Sequence, residues 1–174
     1  MKKLLILPLI CLAAQATLVP ALSLRGLIDQ SEIIVHGRVT RSWTAWDSEH
    51  KYIWTHSRLE ILDRVKGNPG SSVTVSEPGG SLDGVNMSIS GAPDYGIGET
   101  AIVFLYRTPI GYLRATGFGQ GKYTVTPEMR IHTNRKGLEL LQRDSEDDVP
   151  LSALEGLSVA DFKARVRVVM RSGR

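Results

Sequence analysis

Ile33-Ile34-Val35-His36-Gly37-Arg38-Val39-Thr40 decides how the rest of this chain is read. β-Branched residues dominate it, and no helical period fits, so it reads as a strand. Gly37 in its middle marks a bulge or a close backbone approach, as where a sheet bends sharply into a barrel. The strand continues to Trp46. Residues 47–51 (Asp-Ser-Glu-His-Lys) form a polar connection of hairpin length, and the chain returns through residues 52–65. On that return Ile53, Thr55, Ser57, Leu59, Ile61 and Val65 fall on one face. Two long strands joined this way make a coiled hairpin.

Turn chemistry punctuates the chain beyond the hairpin. Lys66-Gly67-Asn68-Pro69-Gly70 is a turn, residues 72–77 a third strand, and Pro78-Gly79-Gly80 its end. A weak strand follows near 85–89, then a glycine-rich loop over 91–99. Residues 100–106 are almost continuously apolar, which marks a strand buried on both faces. A short strand at 112–115 and a hairpin pairing 122–125 with 129–132 complete the β pattern, and residues 137–143 read as a short helical turn. Leu24, Leu27 and Ile28 after Ser23 predict a two-turn helix, and Ser158 caps a final helix from Val159 to about Met170. The expected class is mainly β: a small OB-like barrel over 24–143, with a short N-terminal helix, a linker at 144–157 and a C-terminal helix over 158–171. A two-sheet sandwich is the alternative.

The first residues predict where the protein works. Met1-Lys2-Lys3, an apolar run over 4–14 and Ala14-Gln15-Ala16 have the three parts of a secretory leader over 1–16, with a second candidate end at Ser23. The run is too short to span a bilayer, so no transmembrane segment is expected after cleavage. The expected destination is the periplasm or the medium. Cys11, the only cysteine, lies in the leader, and Pro8-Leu9-Ile10 before it lack the small residue that lipidation needs. The processed chain therefore has neither disulfide nor thiol chemistry. About 150 residues remain, enough for one self-sufficient core. Lys and Arg number 21 against 18 Asp and Glu, and two of that excess of three leave with Lys2 and Lys3. A surplus of one removes the main argument for a general nucleic-acid binder, and no nucleic-acid partner is expected. The residual basic charge gathers at Lys163, Arg165, Arg167, Arg171 and Arg174, after an acidic run at Asp144 and Glu146-Asp147-Asp148.

Ser31-Glu32-Ile33-Ile34-Val35-His36-Gly37-Arg38-Val39 resembles the S-D-x-V-x-x-G-x-V opening of secreted netrin-like barrels, among them the tissue inhibitors of metalloproteinases. Leu62-Asp63-Arg64-Val65-Lys66-Gly67 is similar to the end of that family's second strand at a Lys-Gly turn. A set of exported bacterial proteins of uncharacterised function shares more: Glu77-Pro78-Gly79-Gly80, Gly91-Ala92-Pro93-Asp94-Tyr95, Gly98-Glu99, Phe104-Leu105 and Gly119-Gln120-Gly121-Lys122-Tyr123. The resemblance covers about 31–125 and implies a netrin-like barrel. The inhibitors chelate the protease zinc through an N-terminal cysteine, whereas the processed chain offers Thr17 or Leu24. The inhibitory chemistry does not carry over.

Two groups of residues are candidate sites. Trp43, Trp46, Tyr52 and Trp54, interleaved with Arg38, Arg41, Lys51 and Arg58, have the composition of a stacking platform for rings or sugars. All three tryptophans lie in this hairpin, where they also serve as cross-strand braces. Gly79, Gly80, Gly91, Pro93, Tyr95 and Gly98 form the second group; glycine amides can cradle an anion, and glycines also simply satisfy turn geometry. Asp47, Glu49, His50 and His56 match no metal-ligand spacing, so no metal or other cofactor is expected. No nucleophile-and-base arrangement is visible, and Gly80-Ser81-Leu82-Asp83-Gly84 is not a nucleophile elbow, so no enzyme is expected. The stripe Phe162, Val166 and Val169 packs on the barrel or, with its basic flanks, docks on a partner. The expected function is an exported binding module for an extracytoplasmic peptide, glycan or protein. The alternatives are a netrin-like protease inhibitor using the barrel rim and loop 91–99, and a hydrolase of unrecognised type.

Overall fold

The structure, a computed structural model, describes residues 17–141 and 149–172. Residues 1–16, where a leader is expected, and the acidic run of 144–148 lie outside the described residues. In chain order the elements are β1 (Thr17–Pro20), α1 (Leu24–Asp29), β2 (Ile33–Trp46), β3 (Ile53–Lys66), β4 (Ser72–Pro78), β5 (Gly80–Leu82) and β6 (Val85–Met87). There follow β7 (Thr100–Arg107), β8 (Leu113–Ala115), β9 (Lys122–Val125), β10 (Ile131–His132), β11 (Leu138–Leu141) and α2 (Val159–Arg171). Short 3-10 turns occupy Phe118–Gly121 and Leu151–Leu154.

The fold is mainly β, and its main sheet nearly closes into a small barrel in the order β7-β2-β3-β4-β8 and back to β7. Closure relies on little β8. It runs antiparallel to β7 and meets β4 in parallel through the single pair Val75–Leu113. The β2–β3 hairpin carries register shifts at Ile34/Val35, His36/Gly37 and Val39/Arg41, which turn the ribbon around the core. Gly37 also allows close approach: a Cβ there would stand 2.9 Å from the Glu60 carbonyl oxygen.

Two cores share the same strands. Val35, Val39, Leu59, Val73, Val75, Ala101, Val103 and Leu105 fill the barrel. Ile34, Ile102, Phe104, Tyr123 and Ile131 point the other way, onto Leu24, Leu27, Phe162 and Val166 of the two helices. Strand β7 is apolar at every position from Ala101 to Leu105 because alternate residues serve different cores. The helix α2 folds back on the barrel. Its Phe162 ring lies 4.7 Å from Tyr123 and 6.2 Å from Phe104, and Ser158 caps it by accepting from the Asp161 amide at 3.1 Å. The basic flank is used as well: Lys163 and Arg167 meet Asp63 of β3 at 2.7 and 3.3 Å. Among the described residues, no helix is long and apolar enough to cross a membrane.

Three details differ from the expectations. Residues 138–141 are not helical; they pair in parallel with β1, Thr17 opposite Leu138 and Pro20 opposite Leu141. The weak strand near 85–89 is one arm of a hairpin whose other arm begins at Gly80, with Asp83 and Gly84 both at positive φ in a two-residue turn. In the segment before α2, Leu151 and Leu154 are buried in the helical core.

Candidate functional site

Cross-strand register sorts the tryptophan hairpin into two faces. Directly opposed residues share a face. Arg38 opposes Glu60, Arg41 opposes Arg58, Trp43 opposes His56 and Ala45 opposes Trp54; β4 continues these rows with Ser72, Thr74, Ser76 and Pro78. This face points away from the barrel interior. Trp46 is on the other side. Its indole nitrogen donates to Asp83 Oδ2 at 2.9 Å, under the β5–β6 hairpin, and its ring stacks on His50 at 6.1 Å. Tyr52, 53% exposed, stands at the foot of β3, with no ring contact to the row among the described residues. The platform predicted from these eight residues therefore splits. Trp43, Trp54, Arg38, Arg41 and Arg58 share one outer surface; Trp46 does not, because alternation places residues 43 and 46 on opposite sides.

The outer surface is extended by residues that sequence reasoning left out. Arg41 lies 5.1 Å over the Trp43 ring, and Trp43 stacks on His56 at 5.3 Å and 28°. Tyr112 meets His56 edge-on at 5.5 Å and Trp54 at 5.0 Å. Arg114 then lies 5.8 Å over Trp54 and 5.6 Å over Phe118. The result is one continuous row, Arg41–Trp43–His56–Tyr112–Trp54–Arg114–Phe118, drawn from β2, β3, β8 and the residues on either side of β8. His56 is buried under Trp43 and Tyr112, with Nδ1 2.8 Å from Ser76 Oγ. That burial lowers its pKa and favours the neutral ring. His56 was readable as a row member from its spacing to Trp54, two residues earlier on β3. Tyr112, Arg114 and Phe118 carried no such signal, since β8 reaches the row only through barrel closure.

Beneath the row sits a buried acid. Glu77, 3% exposed, accepts from the Ala115 amide at 2.7 Å and from Arg114 Nε at 3.1 Å. Burial pushes its carboxyl up to about 7, against the opposing pull of the Ala115 amide and of Arg114. Tyr95 shares this end of the barrel. Its hydroxyl is buried without a partner among the described residues and is raised well above the phenol range by burial and by Glu77, Glu99 and Asp94.

The glycine loop has a different character. The Gly79 amide donates to the Ile53 carbonyl and the Gly98 amide to the Val39 carbonyl, both at 2.8 Å. Gly80 presses on Thr55 and Thr44, Gly91 on Leu138, and Pro93 is buried. Lys122 straps the loop: it pairs with Glu99 at 2.7 Å, hydrogen-bonds the Asp94 carbonyl and lies 4.8 Å over Tyr95. These glycines serve turns and close packing, and the amides of Gly79 and Gly98 are already spent. The four residues weighed as metal ligands also diverge. Asp47 accepts from the Lys51 amide, Glu49 pairs with Lys51, His50 stacks on Trp46 and His56 lies in the row.

No protein-family model matches the chain, and no curated protein sequence matches it.

Proposed function

We propose that this chain is an exported binding module that recognises an extracytoplasmic peptide, glycan or protein through the outer face of β2, β3 and β8. The observation that carries this reading is the continuous row from Arg41 to Phe118, in which four rings, Trp43, His56, Tyr112 and Trp54, lie between the guanidinium groups of Arg41 and Arg114. Neither core needs it. Rings presented beside guanidinium groups suit ligands with flat apolar faces and polar edges. The leader-like start supports export, and the nearly balanced charge argues against nucleic acid.

Tryptophan emission reports directly on the row, since Trp43 and Trp54 belong to it. Titration with a panel of oligosaccharides and short peptides should shift the emission for at least one class. Trp43→Ala should then weaken binding by about tenfold or more, as expected for an aromatic anchor. A panel that leaves the emission unchanged, or a Trp43→Ala variant that binds as the parent does, would overturn the reading.

A further inference from the structure

At the Arg114 end the row opens into a cleft of about 420 Å³, lined by Gln30, Tyr106, Arg114, Thr116 and Phe118 among others. That volume is within the range of small-ligand sites. Among the described residues, Arg114 is the only charged one lining it. Its guanidinium is clamped between the Trp54 and Phe118 rings, and its side chain keeps 17% of its exposure. Among the described residues its hydrogen bonding runs through Nε alone, to Glu77. The two terminal nitrogens hold the forked geometry that matches a carboxylate.

The surrounding backbone is shaped to hold this arrangement. Phe118 sits at φ +59°, a left-handed conformation that is an outlier for a bulky residue. It follows Gly117 at φ +64°, and Gln120 locks the turn by donating to the Gly117 carbonyl at 3.2 Å. The strained conformation is what brings the Phe118 ring over Arg114.

We propose that this cleft binds a carboxylate-bearing ligand, with Arg114, held against Trp54, gripping the carboxylate and the Phe118 and Tyr106 rings lining the space for the group that carries it. The inference rests on the outer-face reading above and narrows its ligand class. A uronate sugar and the free C-terminus of a peptide offer the same chemistry. Glu77 is the internal carboxylate that a ligand must compete with for Arg114, so its charge sets the affinity.

The test uses two matched probe pairs at pH 8 and low salt: tri-galacturonate with its methyl ester, and Gly-Gly-Phe as acid and as amide. One acid should bind about tenfold or more tightly than its neutral twin, and which one does identifies the source. Glu77→Gln keeps an acceptor for the Ala115 amide and removes the competing charge, so it should tighten acid binding about tenfold. Arg114→Gln alone strands a buried carboxylate, so the Arg114→Gln/Glu77→Gln double variant serves as the folded comparison, verified by circular dichroism. It should have no acid preference. Equal binding of acid and neutral probes, a preference that survives in the double variant, or no binding of either acid at about 10 mM would each overturn the proposal. Neutral probes that bind through Trp43 but ignore Arg114 would sink this inference and leave the outer-face reading standing. An Arg114-dependent acid preference untouched by Trp43→Ala would do the reverse.

Discussion

Glu77 and the two buried histidines pull the stability of this fold in opposite directions as pH changes. The Glu77 carboxyl rises from 4.5 to about 7 on folding, so the folded chain favours its protonated form. That contribution is complete below about pH 4.5 and is lost as pH climbs through 7, about 3 kcal/mol in all. His36 and His56 have the opposite sign. Burial lowers both, with Lys163 adding to the effect at His36 and Asp63 opposing it. Their contribution is present above 6.5 and is lost as pH falls. Denaturant midpoints should therefore trace a dome, and Glu77→Gln should remove its alkaline limb while leaving the acid limb in place. A variant that loses stability between pH 6 and 8 as steeply as the parent would refute the assignment. Gly121 gives a second residue-scale prediction. A Cβ there runs into the backbone of Thr116 and stands 3.1 Å from the Phe104 carbonyl oxygen, groups that cannot move aside. Gly121→Ala should cost about 2–4 kcal/mol. Gly111→Ala, in open space at φ +89°, should cost only about 1 kcal/mol, the left-handed penalty. Urea midpoints of the two variants check the ranking.

Among the elements, α2 shows which contacts hold a helix to the sheet. Phe162 is fully buried between Phe104 and Tyr123, so Phe162→Ala should cost about 3–5 kcal/mol. Asp63, partly exposed between Lys163 and Arg167, is a surface ion pair, and Asp63→Asn should cost less than about 1 kcal/mol. Thermal melts that reverse this order would show that charge, not burial, docks the helix. The helix was legible because Phe162, Val166 and the Ser158 cap are local signals. The long hairpin was legible for a similar reason, from the β-branched residues of its first strand and the alternation of its second, although its register shifts were signalled only by Gly37. Strand β11 was not. Leu138-Glu139-Leu140-Leu141 contains good helix formers, and only pairing with β1, more than a hundred residues away, makes it extended. Long-range pairing overrode local propensity there; β8 was legible as a strand, and only its one pair with β4, which closes the barrel, was not.

Over the whole molecule, the candidate site follows the same division between local and distant signals. Trp43, Trp54 and the arginines of the hairpin were readable from composition and spacing, whereas Tyr112, Arg114 and Phe118 join the row only once the barrel is closed. The chain's first described strand depends on closure too. Gln120, 1% exposed in the turn after β8, accepts from the Leu22 amide at 2.8 Å and donates to the Pro20 carbonyl at 3.1 Å. Thr17 donates its amide to Gly137 and its hydroxyl to Ser90, at 3.0 and 2.7 Å. Ser23 caps α1 by accepting from the Gly26 amide at 3.0 Å. A chain beginning at Thr17 keeps all of these bonds. One beginning at Leu24 loses the cap, strand β1 and both outer partners of a buried amide, each such loss costing about 1 kcal/mol or more. The shorter chain should accordingly melt about 10 °C lower. Expressing chains that begin at Thr17 and at Leu24 and comparing their melting decides the matter: equal melting temperatures would remove β1 from any structural role.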